Sequence, residues 1–195
     1  MTKDDLMEGM QQFGFGSIAA FDTAVLTFNG ELRDICASNA CGRYNACWSC
    51  PPAVGSYDEL VELCNSYSNG LLMSSVYDIE DPFDFEGMMR TGNEFCEMLV
   101  EAEGWLRSCY GRPLKRDLSV EEWPLAYEHY QLFGTGSCND CKKCTYPDNP
   151  CLFPDRLFIP IESCGILVSA LAKEVGMKYI AGPDTVTYFG MLLHN

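Results

Sequence analysis

"CASNACGRYNACWSCPP" (residues 36–52) and "CNDCKKCTYPDNPC" (residues 138–151) hold eight of the chain's twelve cysteines. How these two segments are read decides the fold, because they lie far apart in the chain and carry the same chemistry. In a secreted protein, cysteines in this number form a disulfide framework. In a reducing cytosol, close clusters are metal sites or redox groups. The N-terminal "MTKDDLMEGMQQ" is acidic and amphipathic. It lacks the basic region, apolar core and small-residue cleavage site of a secretory signal. No apolar run reaches the roughly 18 residues that span a membrane. The expected location is therefore the cytoplasm, and the cysteines read as metal ligands, with disulfides as the alternative.

In the second segment Cys138, Cys141 and Cys144 form C-x2-C-x2-C, and Cys151 follows after six intervening residues. Zinc sites commonly combine two CxxC pairs. Three thiolates at this spacing are closer to the ferredoxin run, in which a chain wrapped around a cube-shaped cluster offers a cysteine at every third residue. The last gap departs from that run, and Pro150 precedes Cys151 instead of following it. Whether Cys151 closes this cluster or another is open from spacing alone. The first segment offers Cys36, Cys41, Cys47 and Cys50, then Pro51 and Pro52. A proline beside a ligand removes a backbone donor and turns the chain. Tyr44 and Trp48 are candidates for shielding a cluster from water, which tunes its potential. Eight loop cysteines equal two sets of four. One cluster per loop is the simplest assignment, and an interleaved one is the alternative.

Cys64, Cys96, Cys109 and Cys164 stand alone in helical patterns and read as small core residues. Cys164 opens a candidate helix, where a thiol's pKa is lowered. His129 and His194 lie outside both clusters and are not assigned as ligands. No Walker loop, strand-borne GxGxxG, HExxH or GxSxG is present, nor the C-x3-C-x2-C of radical-SAM enzymes. The "GTG" at 134–136 reads as backbone that lets the chain approach a cluster closely.

The chain has 195 residues, 47% of them apolar, and a net charge of −15. That length supports one domain over 1–195 with a real core. Twelve acids and one base, Arg90, lie between Asp58 and Glu103. This reads as a solvated acidic face, with a docking surface for a basic protein as the functional alternative. Arg107, Arg112, Lys115 and Arg116 are the best candidate for a phosphate-binding stripe. They are too few on this background, so nucleic acid is not an expected partner.

Residues 3–12 read as a helix on Leu6, Met7 and Met10. "TAVLTF" (23–28) reads as a strand and "NG" (29–30) as a turn. Residues 56–67 read as a helix opened by Ser56 and Glu59, and 70–79 as a strand. Residues 85–110 form the longest helical pattern, on Phe95, Met98, Leu99, Ala102, Trp105, Leu106 and Cys109. Gly111 and Pro113 close it. Residues 124–133 read as a strand, 161–175 as a helix stopped by Gly176, and the last segments as a hairpin with an exposed edge, which favours a homodimer. This order predicts an α+β fold, with α/β as the alternative: a single-layer mixed sheet packed with helices. Both cysteine loops would then follow a strand and precede a helix. If those strands share a direction, both loops emerge at one end of the sheet.

At "CGRYNACWSCPP" (41–52), "GSCNDCKKC" (136–144), "PCLFP" (150–154) and "IESCGILVSAL" (161–171) the chain resembles a widespread prokaryotic group of predicted metal-binding proteins with a domain of unknown function. The resemblance covers roughly residues 36–176. It implies metal ligation by Cys41, Cys50, Cys138, Cys141, Cys144 and Cys151. At Cys164 the group is expected to carry a small residue, in keeping with a structural role there.

The expected function is that of an iron–sulfur protein with two [4Fe–4S] clusters on Cys36, Cys41, Cys47, Cys50, Cys138, Cys141, Cys144 and Cys151. It would serve in electron transfer, or as a redox accessory subunit beside a protein partner. Zinc in a structural or interaction module is the first alternative. An enzyme using a cluster held by only three cysteines is the second.

Overall fold

The computed structural model describes residues 2–117 and 127–195. Five strands form one sheet: β1 (Ser17–Asp22), β2 (Asn69–Asp78), β3 (Tyr130–Gly134), β4 (Ile159–Pro160) and β5 (Thr185–His194). Their order is β1-β2-β5-β3-β4. The first three pairings are antiparallel and β3 with β4 is parallel. The helices are α1 (Lys3–Gln11), α2 (Glu31–Ala37), α3 (Tyr57–Asn65), α4 (Phe85–Tyr110) and α5 (Val168–Glu174). The architecture is α+β, as expected: a mixed sheet packed with helices.

Alternation in the central strands explains why both faces are covered. Leu71 and Met73 of β2, Leu192 of β5 and Leu132 of β3 pack with Leu6 and Met10 of α1 and with Phe95, Leu99 and Leu106 of α4. Leu72, Met191, Leu193 and Phe133 point the other way. They pack with Leu60 and Cys64 of α3, Leu171 and Ala172 of α5, and Ile161 and Cys164. A strand buried on both faces reads as a continuous apolar run, and "GLLM" and "GMLL" are such runs. Gly190 lets α4 approach β5 closely, because a Cβ there would stand 2.7 Å from Leu99 Cδ2.

The helix ends follow their local chemistry. Ser56 and Glu59 form a reciprocal capping box at α3, as Thr2 and Asp5 do at α1, satisfying amide groups the first turn leaves free. Asp84 caps α4 through Gly87 N at 2.8 Å. Gly111, in the left-handed region at φ 64°, ends it.

Several sequence expectations fail for tertiary reasons. "TAVLTF" is not a strand. Asp22 accepts from Ala24 N at 2.8 Å and winds Thr23–Val25 into a 3-10 turn, while the strand is the preceding "SIAAFD". Residues 161–175 are not one helix. A 3-10 turn (Ile161–Cys164) ends at Gly165, φ 79°, and α5 begins at Val168. Gly165 O accepts from Asn29 N at 2.7 Å, and a Cβ there would lie 2.9 Å from Asn29 O. In 124–133 only Tyr130–Phe133 is strand. Residues 124–126 lie outside the described residues, and 127–129 are turn. The final hairpin is absent, since β5 runs through the middle of the sheet between β2 and β3. The exposed edge expected there does not exist, and the argument for a homodimer built on it falls.

Cys109 does not join the core. It is exposed on the last turn of α4, where Tyr110 instead stacks on His129 (5.4 Å) and tilts against Tyr130 (5.3 Å). Cys96 is half-buried, one position round the helix from fully buried Phe95. Cys64 and Cys164 are core residues as expected, each 0% exposed. They do not stand alone, because their thiols hydrogen-bond to each other and so hold the Cys164 thiol well above its ordinary pKa. The basic residues near the end of α4 are engaged internally. Arg112 pairs with Glu103, and Arg107 and Arg116 reach Asp155 at 3.6 and 3.1 Å. Among the described residues, no helix is long and apolar enough to cross a membrane.

Candidate metal centre

The two cysteine segments do meet, by a route the sequence did not show. β1 and β3 run in opposite directions, so the strands do not deliver both loops to one end. After β1 the chain crosses the sheet face instead. Phe28 bridges to Ile166, and α2 packs on the Ile161–Cys164 turn. Arg33 of α2 fixes that crossing, donating to Ser163 O at 3.0 Å and Gly55 O at 2.8 Å. The first loop thereby lands beside the second.

Four contacts sew the loops together. Ser49 Oγ, fully buried, accepts from Cys138 N at 2.9 Å. Arg43 Nη2 donates to Asn139 Oδ1 at 2.7 Å, and Trp48 Nε1 donates to Asn149 O at 3.1 Å. Tyr146 Oη donates to Asn45 Oδ1 at 2.9 Å, while its ring meets Trp48 edge-on at 4.9 Å. Trp48 is thus placed between the two loops. Tyr44 N donates to Asn39 Oδ1 at 3.0 Å. The Pro51–Pro52 and Tyr146–Pro147 peptides are cis.

Within the second loop, Cys138, Cys141, Cys144 and Cys151 all line one cavity of about 230 Å³. Cys151, whose partners spacing left open, therefore stands with the other three. Burial is the main cause that raises the thiol pKa of Cys138, to about 12, and of Cys151, whose neighbours Cys144 and Cys141 push the same way. Cys138 Sγ is 3.2 Å from Asp140 Oδ2. Arg156 holds Asp140 at 2.9 Å and grips Glu97 of α4 at 3.1 Å. Gly136, at φ 59°, makes the left-handed turn that delivers Cys138 to the cavity. Gly134 serves packing instead, since a Cβ there would be 2.8 Å from Phe158 Cβ.

In the first loop, Cys47 and Cys50 are buried, Cys36 is half-buried on the last turn of α2, and Cys41 is exposed. Ser49 Oγ lies 3.5 Å from Cys47 Sγ and 4.0 Å from Cys50 Sγ. A hydrogen bond from Cys50 lowers the Cys47 pKa to about 6, helped by Ser49 and the Arg43 charge against the cost of burial. The same bond drives Cys50 upward, so the two share one proton as a coupled pair. The charge of Cys41 pushes the Cys36 and Cys50 thiols upward, after the larger effect of burial on Cys36 and of Cys47 on Cys50.

The twelve cysteines are all unbridged. Among the described residues, no three Cys, His, Asp or Glu side chains converge tightly enough to hold a single ion. The four second-loop thiols line a cavity wall. An all-sulfur donor set around a cavity, with Arg43, Lys142 and Lys143 at its border to offset thiolate charge, fits a thiolate-bound metal group. The residues sequence reasoning missed are Ser49, Arg33, Arg43, Asp140 and Arg156. Ser49 and Arg43 sat inside the first motif without a distinguishing mark. The arginine contacts depend on tertiary packing.

The family model described as predicted metal-binding protein (DUF2284) matches residues 19–111 and 113–194. The chain belongs to this family. The resemblance drawn from CPP and GxCxxCxxC is therefore to the family the chain belongs to, and metal binding is the property its description names. Neither a curated protein nor a solved structure matches the chain.

Proposed function

We propose that this metal-binding protein is an iron–sulfur protein with two [4Fe–4S] clusters that passes electrons to or from a protein partner in the cytoplasm, as a carrier or as a redox accessory subunit. Cys138, Cys141, Cys144 and Cys151 would hold one cluster. Cys36, Cys41, Cys47 and Cys50 would hold the other. The observation that carries the reading is the cavity lined by all four second-loop cysteines, joined to the first loop through Ser49.

A zinc ion bound at about 2.3 Å by four thiolates needs them to converge on one point. Four thiolates spread around a void suit a group with several metal corners. The clusters would supply one-electron redox chemistry. The chain supports that chemistry by excluding water with Trp48 and Tyr146, by burying Cys47 and Cys50, and by hydrogen bonding near the sulfurs through Ser49, all of which set potential. Ser49, shared by both loops, holds the two sets at a fixed separation.

The test is ligand substitution with iron as the readout. Cys141→Ala and Cys47→Ala, made separately, should each remove about half of the bound iron, because each breaks one four-cysteine set. Loss of all iron from either variant, or of none, contradicts one cluster per loop.

A further inference from the structure

A second cavity, of about 510 Å³, opens between the outer face of α4 and the segment that leads into the second cysteine loop. That volume lies in the roughly 300–1,000 Å³ range of small-molecule sites. The reading of the metal centre does not use it.

Its walls divide by chemistry. Met88, Met89 and Val100 of α4, with Phe158 and Tyr188, form an apolar side. Tyr188 is fixed there, because its hydroxyl donates to Met88 O and its ring stacks on Phe95 at 6.0 Å. Gly92 keeps the floor open, since a Cβ there would come within 3.3 Å of Tyr188. Thioether and aromatic walls accept a flat apolar body and adapt to its shape.

The lining also carries charged groups, Glu97 of α4 with Asp140 and Arg156, and their balance is uneven. Among the described residues, Arg156 is the one guanidinium lining the cavity, and it is engaged by two carboxylates, Glu97 at 3.1 Å and Asp140 at 2.9 Å. The arginine bond holds Glu97 below the ordinary carboxylate range, so it stays charged. Cys96, also on the wall, stays neutral because burial raises its thiol. The lining therefore sets two carboxylates against one guanidinium, in a chain of net charge −15. An anion would have to displace a carboxylate from Arg156, whereas a cation is welcomed.

We propose that this cleft is a binding site for a small organic amine, with a ring-bearing apolar body against Met88, Met89, Phe158 and Tyr188 and its ammonium group facing Glu97 and Asp140. Cys138 and Asp140 line both this cleft and the metal cavity. A bound amine thus lies against the wall that carries a metal-ligand candidate. The inference does not depend on which metal fills the neighbouring cavity.

The experiment is calorimetric titration of the full chain, as purified, with phenethylamine, 2-phenylethanol and 3-phenylpropionate, with metal content measured on the same sample. Phenethylamine should bind saturably, the alcohol about tenfold more weakly and the carboxylate more weakly still, as charge complementarity dictates. Met89→Trp, at a position 63% exposed where folding tolerates bulk, should fill the cleft and abolish binding. Glu97→Gln should erase the preference for amine over alcohol. No saturable amine binding, equal binding of the carboxylate, or unchanged binding in Met89→Trp overturns the proposal. Amine binding by protein that lacks iron upholds it while removing the electron-transfer reading.

Discussion

Ser49 Oγ accepts a hydrogen bond at 2.9 Å from the backbone amide of Cys138, a residue 89 positions away. That one buried hydroxyl also lies 3.5 Å from Cys47 Sγ, so both cysteine loops are referred to a single atom. Ser49→Ala leaves the Cys138 amide without its partner, a loss of about 1–3 kcal/mol. Denaturant unfolding of the variant should show this loss, with a reduced metal content in both loops. Wild-type stability would show that the loops are held by their other contacts.

Arg156 acts on the second loop from a distance. It ties Asp140, which sits 3.2 Å from Cys138 Sγ, to Glu97 on α4. Arg156→Leu should weaken metal retention against a competing chelator by roughly 10–100-fold, the usual cost of losing an outer partner of a ligand. Cys36, Cys41, Cys47 and Cys50 should keep their share of the metal.

The metal-free protein should show a pH optimum of stability set by the Cys47–Cys50 pair. Cys47 is lowered from 9.0 to about 6, and Cys50 is raised above 9.0. Between about pH 6 and 9 the unfolded chain binds one more proton than the folded pair, so stability rises with pH across that window. It is lost as pH falls through about 6. Above 9 the unfolded pair has released both protons while Cys50 keeps its own, so stability falls again. Urea midpoints across this range should trace that dome, and Cys47→Ser should flatten its acid side.

Cys64 and Cys164 are fully buried and hydrogen-bonded to each other, away from the cavity lined by the second loop. Cys164→Ala should cost roughly 1–2 kcal/mol for the lost packing. Its metal content should equal that of the wild type. A fall in bound metal would make Cys164 a ligand and redraw the first-loop set.

Local chemistry made part of this fold legible. The Ser56–Glu59 box, the apolar spacing of α4 and its Gly111 stop act within a few residues, and each appears where its pattern predicts. What failed depended on contacts between distant residues. "TAVLTF" has the composition of a strand, yet Thr23 docks on Tyr67 O at 2.6 Å and Ser68 O at 3.2 Å, where the chain turns. Gly165 looks tolerable in a helix until Asn29 docks on its carbonyl. β5 looked like the end of a hairpin because nothing local marks a strand as central. Cys151 is set beside Cys138, Cys141 and Cys144 only by the cavity that they line together. Ser49 and Arg156 carry no motif, because their roles arise from positions that only the folded chain creates.

The most direct measurement is iron, acid-labile sulfide and zinc content, with a visible spectrum, on protein purified without oxygen. The account predicts about eight irons and eight sulfides per chain and a broad visible absorbance that bleaches on reduction, the behaviour of two [4Fe–4S] clusters. Colourless protein with about one or two zinc ions per chain and no sulfide would contradict it and leave a structural metal module.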